Sequence, residues 1–123
     1  MPAARPSSDT SVIVAGAGVA GLAAAGALAA AGWAVRIIER RADAVAAQIG
    51  AGIQMSPNAC RCLDALGALE AVRRAAFVPR AAVLRDGRSG DVVYRAALGE
   101  AAVARWGAPY LHVHRADLVE ALA

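Results

Sequence analysis

At 123 residues the chain is bounded at one domain, and its 59% hydrophobic content is largely alanine, with aromatics at only 4%. All basic residues are arginine, scattered along the chain for a net charge of +3, so no basic stripe for nucleic acid emerges; the mild surplus merely suits an anionic ligand. Cys60 and Cys62 lie two apart on a predicted helix and point to different faces, and no Cys or His cluster offers a metal site, so a reducing cytoplasm is the expected compartment.

Residues 1–10, with Pro2, Pro6 and two serines, read as a disordered leader before a partial nucleotide-binding domain over 11–123. From Val12 the chain reads VIVAGAGVAGLAAAGALAAAGWAVRIIE: an apolar strand to Ala15, a Gly16-x-Gly18-x-x-Gly21 turn, an Ala-rich helix, a second strand over Trp33 to Ile38, and Glu39. That order is a dinucleotide-binding βαβ unit, the start of a Rossmann-like α/β fold. Gly16 takes dihedrals barred to other residues, Gly18 admits a pyrophosphate, and Gly21 lets the helix approach the strand. The amides from Val19 and Ala20 to Leu22 start the helix without carbonyl partners, at the positive end of its dipole, where they suit phosphate oxygens. Gly32 is placed to end the helix. Glu39, 18 residues beyond Gly21, matches the carboxylate that accepts from ribose hydroxyls and repels a 2′-phosphate, which favours FAD or NAD over NADP.

Residues 12–35 carry no charge, which on length alone also fits a membrane span or signal-peptide core. Their Ala and Gly content, and the presence of Asp9 as well as Arg5 in the preceding flank, argue instead for a buried parallel sheet covered on both faces.

Beyond the loop Arg40 to Gly50 comes the segment Gly50 to Met55. Ser56 reads as an N-cap before Pro57 at N1, with a short helix over Ala59 to Ala65 closed near Gly67, and a further helix over Ala68 to Ala76. Val83 to Arg85 and Val92 to Arg95 flank Asp86-Gly87-Arg88-Ser89-Gly90, a β-hairpin signal within 80–95. Gly99 to Trp106 reads as helix, Tyr110 to Val113 as strand, and Ala116 onward as an amphipathic helix with Asp117 in its first turn. That last helix carries no stop signal, so the chain reads as cut off, with the helix as the crossover toward a third parallel strand.

These residues resemble the FAD-dependent aromatic hydroxylases, single-component flavoprotein monooxygenases that include p-hydroxybenzoate, salicylate and 3-hydroxybenzoate 6-hydroxylases. The likeness runs from Ser11 to Leu122. It rests on VIVAGAGVAGLAAAGALAAAG, the Glu39-Arg40 pair, GAGIQMSPNA over Gly50 to Ala59, and YLHVHRADLVEAL over Tyr110 to Leu122, and looks most like the salicylate hydroxylase branch. The resemblance implies that Gly16, Gly18 and Gly21 face the FAD pyrophosphate, Glu39 holds the ribose, and Arg40 lies beside the adenosine. It implies that Gly52 and Ile53 lie near the flavin, with Gln48 a weaker candidate before them, and that Arg115 contacts FAD. Without the resemblance, Arg115 reads equally as a solvated arginine opening a helix. His112 and His114, alternating on a predicted strand, read as structural.

By family chemistry, NADH or NADPH reduces the flavin, and the reduced flavin activates dioxygen for insertion into an electron-rich aromatic acid. The expected architecture is therefore the FAD-binding start of such an enzyme, with the beginning of its substrate-domain β-sheet. No residue is identified as catalytic, no metal or membrane is implied, and the oligomeric state is open. The second FAD motif and most of the substrate domain have no counterpart here, which keeps open an inactive truncated product or a standalone nucleotide-binding module. An NAD-dependent dehydrogenase is a weaker third reading.

Overall fold

The computed structural model describes residues 11–41 and 51–123, which fall into two compact units. The first comprises the chain up to Ala51 together with Arg115–Ala123; the second is Gly52–His114.

In the first unit, strand β1 (Ser11–Ala15) pairs in parallel with β2 (Ala34–Ile38), Ser11 opposite Ala34 and Ala15 opposite Ile38. Helix α1 (Val19–Ala30) makes the crossover. Gly32 ends it as the sequence suggests: at φ +90° its amide donates to Ala29 O at 2.9 Å, and the Trp33 amide donates to Leu28 O at 3.0 Å. This pair of bonds is a Schellman motif, which only a residue at ease in the left-handed region completes without strain. The run that reads on length as a membrane span is thus broken into strand, turn, helix and strand, and no helix among the described residues is long and apolar enough to cross a membrane.

The strands of this sheet are only partly covered. Val12, Val14 and Val35 are half-buried, whereas Ile13 is 61% exposed and Ile37 and Ile38 are exposed as well. Among the described residues the sheet has two strands, and nothing covers its Ile13 face. The final helix α5 (Arg115–Leu122) starts one residue earlier than expected and packs on α1. It buries Leu118 and Val119 almost completely, while α1 buries Leu22 and Ala25.

In the second unit the segment at Gly50 to Met55, to which the sequence assigns no element, contains strand β3 (Gly52–Met55). It pairs antiparallel with a strand over Leu111–His114, the sixth in chain order (β6), with Gly52 opposite His114 and Met55 opposite Leu111. Between them come α2 (Pro57–Ala65) and α3 (Leu69–Ala75), the hairpin β4 (Ala81–Arg85) and β5 (Val92–Ala97), and α4 (Glu100–Trp106). Ser56 occupies the N-cap position of α2 without capping it, because its hydroxyl lies 2.6 Å from Asn58 Oδ1 instead. The end of α2 repeats the Schellman pattern, with Gly67 at φ +73° and bonds from Gly67 and Ala68 to Asp64 and Leu63. Cys60, Leu63, Val72, Ala102, Leu111 and Val113 form the core of this unit. The hairpin is longer than expected, and Val83, Leu84, Val92, Val93 and Tyr94 stand exposed on it. Its turn is closed by Asp86, whose Oδ1 accepts from the Arg88 and Ser89 amides at 2.9 and 2.8 Å.

Leu118→Ala is expected to cost about 2 to 5 kcal/mol, because the deleted isobutyl group is almost fully buried on the helix that packs against α1. A urea titration with a lowered midpoint and an unchanged slope is the result that supports this packing.

Candidate functional site

The site grows from the junction of β1 and α1. Gly16 turns the chain at φ +103°, a conformation that strains any side-chain-bearing residue, and its amide donates to Ile38 O at 2.7 Å, tying the turn to the end of β2. Gly18 serves as N-cap of α1 in an extended conformation that any residue adopts, φ −78° and ψ 178°. A Cβ built at Gly18 meets no atom within 4 Å, so the protein itself does not require glycine there. Gly21 is the opposite case. A Cβ there would run into the Gly16 carbonyl oxygen and lie 3.4 Å from Val14 Cγ1, so glycine is what lets the helix seat on the strand.

The first intrahelical donor of α1 is Leu22, bonded to Gly18 O at 2.9 Å. The amides of Val19, Ala20 and Gly21 therefore have no carbonyl within the helix, no side chain caps this end, and its first turn carries no acid. Donors at the positive end of a helix, facing space that a Gly18 Cβ would enter, fit an anionic phosphate group. No cationic side chain is needed for that.

Glu39, half-buried at the end of β2, faces the same turn. Its Oε2 accepts from the Ala17 amide at 2.8 Å and its Oε1 from the Arg41 amide at 2.9 Å. Those bonds, the Ala17 one foremost, hold its carboxyl below the usual carboxylate range, with a smaller contribution from the Arg41 charge. The role of Ala17 is one that the sequence reading missed; the signal available was its position between Gly16 and Gly18, just past the end of the first strand, as Glu39 is just past the end of the second.

The remaining expected residues divide between the units. Arg40 is exposed beside Glu39, and Arg115 is an exposed first residue of α5 whose amide donates to Ala51 O at 3.0 Å. Gly52 and Ile53 belong to the second unit, on β3 opposite His114 and Val113. Gln48 lies outside the described residues. His112 packs against Phe77 and Tyr110, with ring centroids at 6.4 and 5.8 Å, and its backbone exchanges two 2.8 Å bonds with Phe77. Its environment is that of a packed strand residue. Among the described residues no group of three or more His, Cys, Asp or Glu side chains converges as a metal site.

The two glycines make opposite predictions for the ligand-free protein. Gly21→Ala is expected to cost about 1 to 3 kcal/mol through overpacking against the Gly16 backbone, whereas Gly18→Ala stays within about 1 kcal/mol. Thermal unfolding of the two variants side by side tests this, and equal losses would contradict the assignment of separate roles.

The sequence profile of a family described as the FAD binding domain matches residues 9–105. The chain is 43% identical over 110 residues to 3-hydroxybenzoate 6-hydroxylase from Polaromonas naphthalenivorans (strain CJ2), covering 89% of this chain and 27% of that protein. It is 41% identical over 110 residues to 3-amino-4-hydroxybenzoate 2-monooxygenase from Streptomyces cremeus, with the same coverage. Among solved structures, Klebsiella pneumoniae HpxO complexed with FAD and uric acid superposes with a TM-score of 0.78 at 29% identity, over 96% of this chain and 29% of that one. The chain thus spans little more than a quarter of the length of these relatives. With the glycine turn, the uncapped helix and the strand-end carboxylate in the expected order, and with the profile covering most of its length, this chain belongs to the FAD binding domain family, and it matches the corresponding segment of proteins named as aromatic hydroxylases and monooxygenases.

Proposed function

We propose that this chain is the FAD-binding amino-terminal part of a NAD(P)H-dependent flavoprotein monooxygenase that hydroxylates a small aromatic acid of the hydroxybenzoate type. The observation that carries the reading is the uncapped α1 amino terminus opening onto the space at Gly18, with Glu39 at the neighbouring strand end. Hydroxybenzoate and aminohydroxybenzoate substrates in the relatives' names support the substrate class. Because the chain spans only about a quarter of those relatives, hydroxylation is proposed for a protein of their full length that contains this segment. Cys60 and Cys62 are both unbridged, in keeping with a cytoplasmic setting where nicotinamide reductant is found.

In this reading the amides of Val19, Ala20 and Gly21, beside Gly16 and Gly18, would hold the pyrophosphate of FAD. Glu39 accepts from the ribose hydroxyls, Arg40 flanks the adenosine and Arg115 contacts the cofactor. Gln48, Gly52 and Ile53 serve the flavin end. When bound, FAD would supply the redox chemistry between NADH or NADPH and dioxygen. What the chain's own residues do is bind and orient: helix amides neutralise the phosphates, and the negative charge of Glu39 selects hydroxyls over a 2′-phosphate.

In the full-length parent Gly18→Val is expected to abolish FAD binding while leaving the fold intact, because a Cβ at this position meets no protein atom within 4 Å and the side chain would enter the ligand's space. Flavin absorbance of purified wild type and variant checks this, and equal yellow occupancy would refute the site. Arg115→Ala is expected to weaken FAD binding by about 1.5 to 3 kcal/mol through loss of a charge-assisted hydrogen bond. Titration of the apoprotein with FAD is the measurement, and an unchanged Kd would return Arg115 to a solvated helix start. In the full-length protein, NADH or NADPH oxidation with formation of hydroxylated product from hydroxybenzoates tests the reaction itself.

A further inference from the structure

Two consecutive amides of the glycine turn are held by the end of β2: Gly16 N–H by the Ile38 carbonyl at 2.7 Å, and Ala17 N–H by Glu39 Oε2 at 2.8 Å. Ala17 is the one side-chain-bearing residue between two glycines, whose backbones have the most freedom to lose. A turn of that composition keeps one shape only if something outside it does the holding. The carboxylate is suited to this, because its other oxygen is fixed by the Arg41 amide at 2.9 Å, so its plane is anchored on both sides.

We propose that Glu39 is a positioning residue for the glycine turn: before any ligand arrives, its carboxylate fixes the Ala17 amide and thereby the Gly16–Gly18 backbone in front of the α1 amino terminus. Each carboxylate oxygen accepts one amide and keeps further lone-pair capacity, so a ribose hydroxyl can be accepted without releasing the turn. Resting on the FAD-binding reading above, this couples the two ends of the nucleotide site through a single side chain. Loss of the carboxylate then weakens the phosphate end even for a ligand that has no ribose hydroxyls. Among the described residues the charge whose field reaches Glu39 is that of Arg41, Arg40 is its chain neighbour, and the turn itself contributes only amides.

Amide hydrogen exchange in the ligand-free chain tests the holding role, with Leu22, bonded to Gly18 O, as internal control. Glu39→Ala is expected to speed exchange at Ala17 at least about ten-fold relative to Leu22, and Glu39→Gln, a neutral acceptor, to fall between. Unchanged Ala17 protection in Glu39→Ala would overturn the proposal. If that variant loses protection at Leu22 as well, the wild-type pH profile decides. The folded-state pKa of Glu39 is depressed, so the bond's contribution is present above the ordinary carboxylate range and is lost as pH falls through the lower folded value. Ala17 protection that, corrected for intrinsic exchange, ignores that titration would overturn the proposal too. A second arm uses ADP and 2′,3′-dideoxy-ADP: Glu39→Ala is expected to weaken both several-fold, and weakening of ADP alone would reduce Glu39 to a ribose contact. Failure of wild type to bind FAD or ADP would sink the nucleotide reading, while the exchange experiment would still judge the holding role.

Discussion

The first unit depends on one close approach, that of the α1 backbone at Gly21 to the carbonyl of Gly16. Without a Cβ at residue 21 the first turn of the helix seats directly on the turn that precedes it and on Val14 of β1. The amides of Val19, Ala20 and Gly21 at this end have no carbonyl partner within the helix and no side-chain cap. The three glycines are therefore not interchangeable. Gly16 answers to backbone dihedrals, Gly21 to packing, and Gly18 to nothing in the protein, which leaves its small size to be explained by what binds.

Electrostatics at this corner come from the backbone. The uncapped α1 amino terminus presents the positive end of the helix dipole, and among the described residues the carboxylate of Glu39 bonds to the turn itself. The charge of that carboxylate is itself engaged by the Ala17 and Arg41 amides. The same engagement keeps it ionised below the usual range, so it remains an acceptor for hydroxyl groups over the whole neutral pH range.

The second unit is organised differently, by pairing between segments far apart in the chain. β3 and β6 lie more than fifty residues apart, yet they bring Gly52 and Ile53 into register with His114 and Val113. Arg61, on α2, reaches across to the Trp106 carbonyl at 2.8 Å and so satisfies the carboxyl end of α4, while Tyr110 Oη lies 2.9 Å from Gln54 Oε1 across the β3–β6 region. These contacts tie α2 to α4 and β3 to the segment entering β6, around a core of small and medium apolar side chains in place of aromatics.

Local rules in the sequence determined the βαβ order, the glycine turn, the glycine ends of α1 and α2, the Pro57 start of α2 and the Asp86 hairpin turn, because each rests on dihedrals and hydrogen bonds spanning only a few residues. The family likeness was legible for the same reason: its motifs are contiguous. Only the tertiary structure decided that β3 is a strand, since its partner lies far along the chain and four residues carry too little periodicity to show it. It alone also showed that Ser56 turns to Asn58 instead of capping α2, that the Ile13 face of the sheet is uncovered among the described residues, and that Glu39 holds Ala17. Each of those outcomes is a competition for a partner, and a sequence names the competitors without saying which pair comes within 3 Å.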